Sequence, residues 1–167
     1  YQHVLHNEKD LRIRRGGLDL NIFGVELSSQ AYIIGLARLI LAGVDTPQLE
    51  LGNSLERMHS DNPQRDGFDV VLANPPWGMR VPPELMKHYP LPMRDATGMF
   101  IQHALAQLRP GGRAVIIVPQ GILFRGGSEQ RLRYMLLKQH TIEAIVSLPE
   151  TVFLPYTAVR SSIIKIR

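Results

Sequence analysis

Apolar and polar positions fall in blocks along the chain, and their period switches between strand-like and helix-like. The segment "LDLNIFGVE" (18–26) alternates before a continuous apolar end, as a strand entering a core should. "AYIIGLARLILAG" (31–43) has helical spacing, with Ser28 or Ser29 as N-cap and Gly43 as stop signal. "PQLEL" (47–51) reads as a short strand running into "GNSL", and "FDVVLA" (68–73) as an apolar strand covered on both faces. "GMFIQHALAQL" (98–108) is a helix ended by Arg109-Pro110-Gly111-Gly112, and "GRAVIIVP" (112–119) is another buried strand. After a Gly-rich loop, "SEQRLRYMLLKQH" (128–140) is a helix capped by Ser128. The strands "IEAIVSLP" and "VRSSIIKIR" close the chain, and the loop between them holds Phe153, Pro155 and Tyr156. That loop has no room for a helix, so these strands form an antiparallel hairpin at one edge.

Two stretches fit no strong period. "YQHVLHNEKDLRIRR" (1–15) is weakly helical and closes at Gly16-Gly17. The segment 80–96 contains Pro82, Pro83, Pro90 and Pro92, which predicts a loop with little regular structure. Alternating strands and helices predict an α/β fold with a mostly parallel, doubly wound sheet. No repeat or domain boundary is visible, so 1–167 reads as one domain.

Composition narrows the chemistry. With 44% apolar and 20% charged residues, the 167-residue chain is long enough for one packed core. The absence of cysteine excludes disulfides, thiolate metal sites and a thiol nucleophile. The six histidines show no metal-ligand spacing, so no metal is expected. A net charge of +4 permits a polyanionic partner without demanding one. The longest apolar run is broken by Arg38 and is too short to span a bilayer, and no secretory signal is visible. A cytoplasmic location without a membrane is the expectation.

The sharpest chemical signal follows "FDVVLA": Asn74-Pro75-Pro76-Trp77, with the chain's one tryptophan. In parallel sheets the functional crevice lies beyond the carboxyl ends of the strands. Asn74 offers an uncharged carbonyl acceptor. Pro75 and Pro76 fix φ and remove two N–H donors, leaving carbonyl acceptors on a stiff turn. Trp77 adds a flat aromatic face. An acceptor-rich, rigid turn without a strong base suits the grip of an –NH₂ group on a planar ring. Two acceptors, on Asn74 and the Pro75 carbonyl, would bond both N–H groups and free the nitrogen lone pair for an electrophile. A tight turn carrying a packed Trp is the plainer reading of the same four residues.

With "NPPW" after "FDVVLA", the chain resembles the amino-methyltransferases that use S-adenosylmethionine and carry an Asn/Asp-Pro-Pro-aromatic motif. The stretch from "FIQHALAQLRPGG" to "LPETVFLPYTAVRSSIIKIR" is similar to the catalytic core of the modification (M) subunit of type I restriction–modification systems, which are N6-adenine DNA methyltransferases. The likeness runs from about Phe23 to Arg167. It implies a Rossmann-like class I methyltransferase fold, with DNA and the specificity and restriction subunits as partners. It implies that Asn74, Pro75, Pro76 and Trp77 are catalytic, with a flipped adenine stacked on Trp77. Phe153 falls where a last-loop aromatic packs the base from its other side. Glu26 falls where an acid binds the cofactor ribose, and Asn53, followed by Ser54, falls where the family usually has an Asp on the cofactor adenine.

One part of the family pattern is missing. The Asp-Pro-x-x-Gly-x-Gly loop that cradles the methionine end of the cofactor, and the strand before it, should precede Tyr1. The chain therefore reads as a partial catalytic domain without its first central strand, inactive by itself. Arg80, Lys87, His88 and Arg94 beside the motif, and Arg125, Arg131 and Arg133 flanking the other loop on the same rim, are candidates for DNA phosphates. Other users of the amino-gripping motif remain open at this level: a glutamine-N5 methyltransferase of proteins, a guanine-N2 methyltransferase of RNA, or a degenerate assembly module.

Overall fold

A computed structural model describes residues 22–44, 46–57 and 67–167. The predicted amino-terminal helix and the Gly16-Gly17 turn lie outside the described residues, as does the start of the first strand. The chain gathers into two compact units that divide after Ser54.

In the first unit, β1 (Phe23–Glu26) pairs in parallel with β2 (Gln48–Leu51), with Glu26 opposite Leu51. Between them runs α1 (Ser29–Leu41). Of the two predicted caps Ser28 is used: its Oγ accepts from the Ala31 N–H at 3.4 Å. Gly43, at φ +88, ends the helix as its position predicted. The helix is rich in Ile and Leu, yet Ile33, Ile34, Ile40 and Leu41 are all exposed.

The second unit is built on a four-stranded sheet of β3 (Phe68–Ala73), β4 (Leu108–Pro119), β5 (Ile142–Ser147) and β6 (Ser161–Ile166), in the order β3-β4-β6-β5. The β3–β4 ladder is parallel, whereas β6 runs antiparallel to both β4 and β5. The predicted hairpin is thus present, with β5 at the edge. Its partner β6 is interior because "SSIIKI" buries Ser161, Ser162, Ile164 and Ile166. Strand alternation sends Ala114, Ile116 and Val118 of β4 to one face together with Ile164 and Ile166 of β6. Against them pack α3 (Ala96–Ala106) and α5 (Ser128–Gln139), through Met99, Ile101, Ala104, Leu132 and Leu136. Each of the large side chains among these stabilises the fold by roughly 1.5–3 kcal/mol relative to exposure.

Five features depart from the sequence pattern, four of them small. Among the described residues only one face of β3 is covered: Val71 and Ala73 reach the core, while Val70 and Leu72 on the other face are 54% and 76% exposed. An apolar run predicts cover on both sides, and the helices of this core supply one layer. Strand β4 starts earlier than predicted, because Leu108 already pairs with Phe68 before a register shift. Ser128 is the first residue of α5 rather than its cap; Gly127, at φ 70, holds the cap position and Ser128 Oγ turns to Glu129. The segment before α5 is also more regular than expected of a Gly-rich loop, since it contains α4 (Gly121–Phe124).

The largest difference concerns residues 80–95, which form a packed excursion rather than an irregular loop. Arg80 bridges Asp95, the Val81 N–H donates to the Arg94 carbonyl at 2.9 Å, and the Ala96 N–H to the Met79 carbonyl at 2.9 Å. Inside lies α2 (Pro83–Met86), with proline at its first position, where a missing N–H costs nothing. Val81, Tyr89 and Met93 are buried. The buried Gln102 amide accepts from the Leu91 N–H at 2.9 Å and donates to the Leu91 carbonyl at 2.8 Å. That amide supplies backbone partners to a strip whose prolines cannot pair with themselves.

Candidate active site

Asn74 follows the last residue of β3 directly, so its side chain stands at the carboxyl end of a strand, and it is exposed. Pro75 beneath it is buried, whereas Pro76 and Trp77 are half-buried. Gly78 then turns the chain at φ +71 towards the bridged pair Arg80 and Asp95. The acceptor turn is therefore held by a buried proline on one side and a backbone ladder on the other.

Trp77 meets Phe153 edge-to-face, with centroids 5.1 Å apart and planes at 87°. The structure thus brings together the two aromatics that the motif and the last loop supplied separately. A ring sandwiched between two parallel aromatics needs about 7 Å, twice a van der Waals separation of about 3.5 Å. At 5.1 Å the two rings fill each other's space instead. The Trp77 Nε1–H is buried and has no acceptor among the described residues, so the indole is anchored without having its one polar atom satisfied. Phe153 sits in a run of turns between β5 and β6 that bonds mainly to itself, for example Thr157 N–H to the Phe153 carbonyl at 3.1 Å. Leu154 and Tyr156 beside it are exposed.

In the first unit, Glu26 closes β1 and its Oε1 accepts from the Ser28 N–H at 2.8 Å. Its Oε2 has no partner among the described residues, which leaves a carboxylate oxygen for a vicinal diol. The Glu26 carbonyl accepts from the Gly52 N–H at 2.9 Å, and the Ser54 hydroxyl donates to the Val25 carbonyl at 3.4 Å. The predicted cofactor residues Glu26, Asn53 and Ser54 are thereby gathered around the carboxyl ends of β1 and β2. The donor set fits the ribose end of a nucleoside cofactor. Among the described residues no cluster of His, Asp or Glu is arranged to hold a metal ion, and no helix is long and apolar enough to cross a membrane.

Charge is unevenly distributed in the second unit. At the amino ends of β3 and β4, Arg109 pairs with Asp69, and Arg113 and Lys165 with Glu143. Hydrogen bonds from Lys165 and Arg113 hold the Glu143 carboxyl below its ordinary range. On the segments beyond the carboxyl ends, Arg80, Lys87, Arg94 and Arg125, with Arg131 in the first turn of α5, have no acidic side-chain partner among the described residues, although Arg160 pairs with Glu150. Arg133 is engaged structurally, donating to the Ile122 carbonyl at 2.8 Å.

Sequence reasoning missed one polar cluster. The buried Tyr89 hydroxyl lies 3.1 Å from the Leu55 carbonyl and 3.0 Å from His103 Nδ1. A carbonyl can only accept, so the single hydroxyl proton goes to Leu55 and Nδ1–H donates to the Tyr89 oxygen. His103 therefore carries a proton at Nδ1. Burial pushes Tyr89 up to about 12 and His103 down to about 4. No local signal announces this pair, because one partner lies in the proline-rich excursion and the other on α3.

Acid weakens the fold through His103. Above about pH 6.5 both folded and unfolded rings are neutral, and the residue adds no pH dependence. Between about 6.5 and 4 the unfolded chain gains a proton that the folded ring refuses, so stability falls as pH falls, by on the order of 3 kcal/mol in full. Urea midpoints between about pH 7 and 4.5 are expected to drop less steeply for His103→Asn, and equal slopes would contradict the assignment.

The sheet order and the proline-stiffened acceptor turn at the carboxyl end of β3 define a Rossmann-like class I methyltransferase fold. Within that class the chain belongs to the N-6 DNA methylase family, whose model matches residues 4–167. It is 28% identical over 167 residues to the EcoEI methylase subunit of a type I restriction enzyme from Escherichia coli, covering 98% of this chain and 34% of that protein. A similar subunit, MjaVII from Methanocaldococcus jannaschii, is 30% identical over 161 residues, covering 85% of this chain and 27% of its own length. Among solved structures, one from work on complex assembly and conformational transition of the type I restriction–modification system matches at a TM-score of 0.85 and 30% identity, covering 99% of this chain and 35% of that one. The methyltransferase subunit of a type I system from Streptococcus thermophilus matches at 0.75 and 28%, covering 87% and 33%. The chain spans about a third or less of the length of these relatives.

Proposed function

We propose that these 167 residues are part of the catalytic domain of an adenine-N6 DNA methyltransferase, the modification subunit of a type I restriction–modification system. The observation that carries this reading is the turn itself: Asn74 exposed at the end of β3, set on buried Pro75 and followed by half-buried Trp77. The Asn74 side-chain oxygen and the Pro75 carbonyl accept the two hydrogens of an adenine amino group. They draw its nitrogen towards tetrahedral geometry, so that the lone pair leaves the ring system and becomes nucleophilic. No general base is needed at the attack, since the surplus proton leaves the nitrogen for solvent afterwards. Pro76 stiffens the turn and Trp77 offers its ring for stacking, worth roughly 1–3 kcal/mol per base. Phe153 must withdraw from Trp77 before a base can lie between them.

Glu26 binds the ribose hydroxyls of S-adenosylmethionine, and Asn53 with Ser54 holds its adenine. When bound, that cofactor supplies an electrophilic methyl group on sulfur. Because the chain spans only part of its relatives, turnover belongs to the complete protein in the cytoplasm, working with specificity and restriction subunits. A target base inside a duplex must be flipped out to reach the turn. The decisive experiment supplies the complete protein with labelled S-adenosylmethionine and a mixture of duplex DNA, RNA and bulk protein as acceptors. Label in N6-methyladenine is expected; label only in protein glutamine or RNA guanine would replace this reading.

The cations without acidic partners on the loops beyond β3 and β4 bind phosphates and so position the duplex. Replacing Arg80 and Arg94 together by Ala is expected to lower DNA affinity uniformly across sequences. The slope of log K against log salt should shrink by about two, close to one for each phosphate that is no longer neutralised. Filter binding across a salt series measures it, and an unchanged slope would remove both residues from the interface.

A further inference from the structure

We infer that Tyr89 is a positioning residue for the cofactor side of the reaction, acting through the Leu55 carbonyl on the turn that carries Asn53 and Ser54. The inference rests on the proposed methyltransferase reading. Ser54 opens a 3-10 turn, Ser54–Glu56, whose next residue Leu55 buries its side chain in the core of the second unit. Its carbonyl takes the Tyr89 hydroxyl proton at 3.1 Å, and the hydroxyl is itself oriented by His103 Nδ1–H at 3.0 Å. A second bond falls on the same segment, since Gln107 Nε2 donates to the Arg57 carbonyl at 3.4 Å. His103 and Gln107 are four residues apart, so they leave α3 on one side.

Helix α3 and its carboxyl cap therefore lie beside held backbone carbonyls at both ends. At its first residue the Ala96 N–H holds the Met79 carbonyl, two residues past Trp77. At its last turn His103 and Gln107, with Tyr89, hold the carbonyls just after Ser54. A buried hydroxyl in place of a bare phenyl ring is an expensive choice for packing alone, because it demands two polar partners. Here both partners serve one carbonyl. Misplacement by an ångström at a binding residue costs up to about 100-fold, so fixing this carbonyl bears directly on the grip of Asn53 on the cofactor.

The test is a split between kinetic constants in the complete protein. Tyr89→Phe is expected to raise KM and Kd for S-adenosylmethionine about tenfold, about 1.4 kcal/mol, while kcat and KM for DNA stay within about twofold. His103→Leu, which frees the hydroxyl, should raise the cofactor KM several-fold. His103→Asn, which keeps a donor near Nδ1, should restore it. A Tyr89→Phe protein that loses kcat or DNA affinity while its cofactor KM is unchanged would overturn the inference. If Tyr89→Phe does not fold, the His103 pair decides, and equal cofactor KM in the Leu and Asn variants overturns it. A wild-type protein that transfers no methyl to DNA would instead sink the underlying reading.

Discussion

Asn74→Ala in the complete protein should reduce methyl transfer to DNA by at least about 10²–10³-fold, the effect of removing one preorganised group that acts on charge in the transition state. The side chain is exposed at the end of β3 and makes no side-chain hydrogen bond among the described residues, so the loss should not be one of folding. Glu26, Asn53 and Ser54 are untouched, and cofactor binding by calorimetry should be unchanged. The effect belongs in kcat, because the pull on the amino group matters only as its nitrogen becomes tetrahedral. Asn74→Asp keeps an acceptor oxygen where the amide carbonyl stood and should retain measurable transfer. Transfer of labelled methyl at the wild-type rate by Asn74→Ala would refute the role of the turn.

How far such a site can be read in advance depends on whether its causes are local. The strand "FDVVLA" and the break at Asn74-Pro75 are local, because two prolines cannot continue a strand interior. The hairpin of β5 and β6 was legible for a similar reason, since thirteen intervening residues crowded with turn formers exclude a crossover helix. The excursion 80–95 was not legible. Its order comes from Gln102, on a helix that follows it, and from burial of Val81, Tyr89 and Met93. Proline count measures what the backbone cannot do with itself and is silent on partners elsewhere. Tyr89 and His103 fail the same test, being fourteen residues apart and joined only by packing. Ser128 failed for a subtler reason: a good capping side chain lost its position to Gly127, whose φ of 70 suits glycine. The exposed face of β3 marks where an apolar pattern describes demand for cover without naming its source.

The same distinction between local and distant causes governs the largest expected loss of stability, at Gly67. It sits at φ +87, immediately before β3, and is buried. A Cβ there would lie 2.5 Å from the Arg109 nitrogen and 2.7 Å from the Leu108 carbonyl carbon, both backbone atoms. Those atoms cannot swing aside, because Leu108 pairs with Phe68 and the Phe68 N–H is bonded to the Gln107 carbonyl at 2.8 Å. A left-handed non-glycine residue costs about 1–2 kcal/mol, and forced overpacking about 1–3 more. Gly67→Val, with branching at Cβ, should therefore destabilise by about 4 kcal/mol or more, lowering Tm by about 10 °C in a domain of this size. Gly111 is the control: φ is +80, yet nothing lies within 4 Å of its Cβ position. Gly111→Ala should cost only the conformational share, about 1–2 kcal/mol. Equal melting shifts for the two would show that the close backbone approach at Gly67 is not what holds β3 against β4. The collision lies about 20 Å from Asn74, the length of a six-residue strand. Activity of Gly67→Val should accordingly track the folded fraction, with normal turnover in whatever remains folded at low temperature.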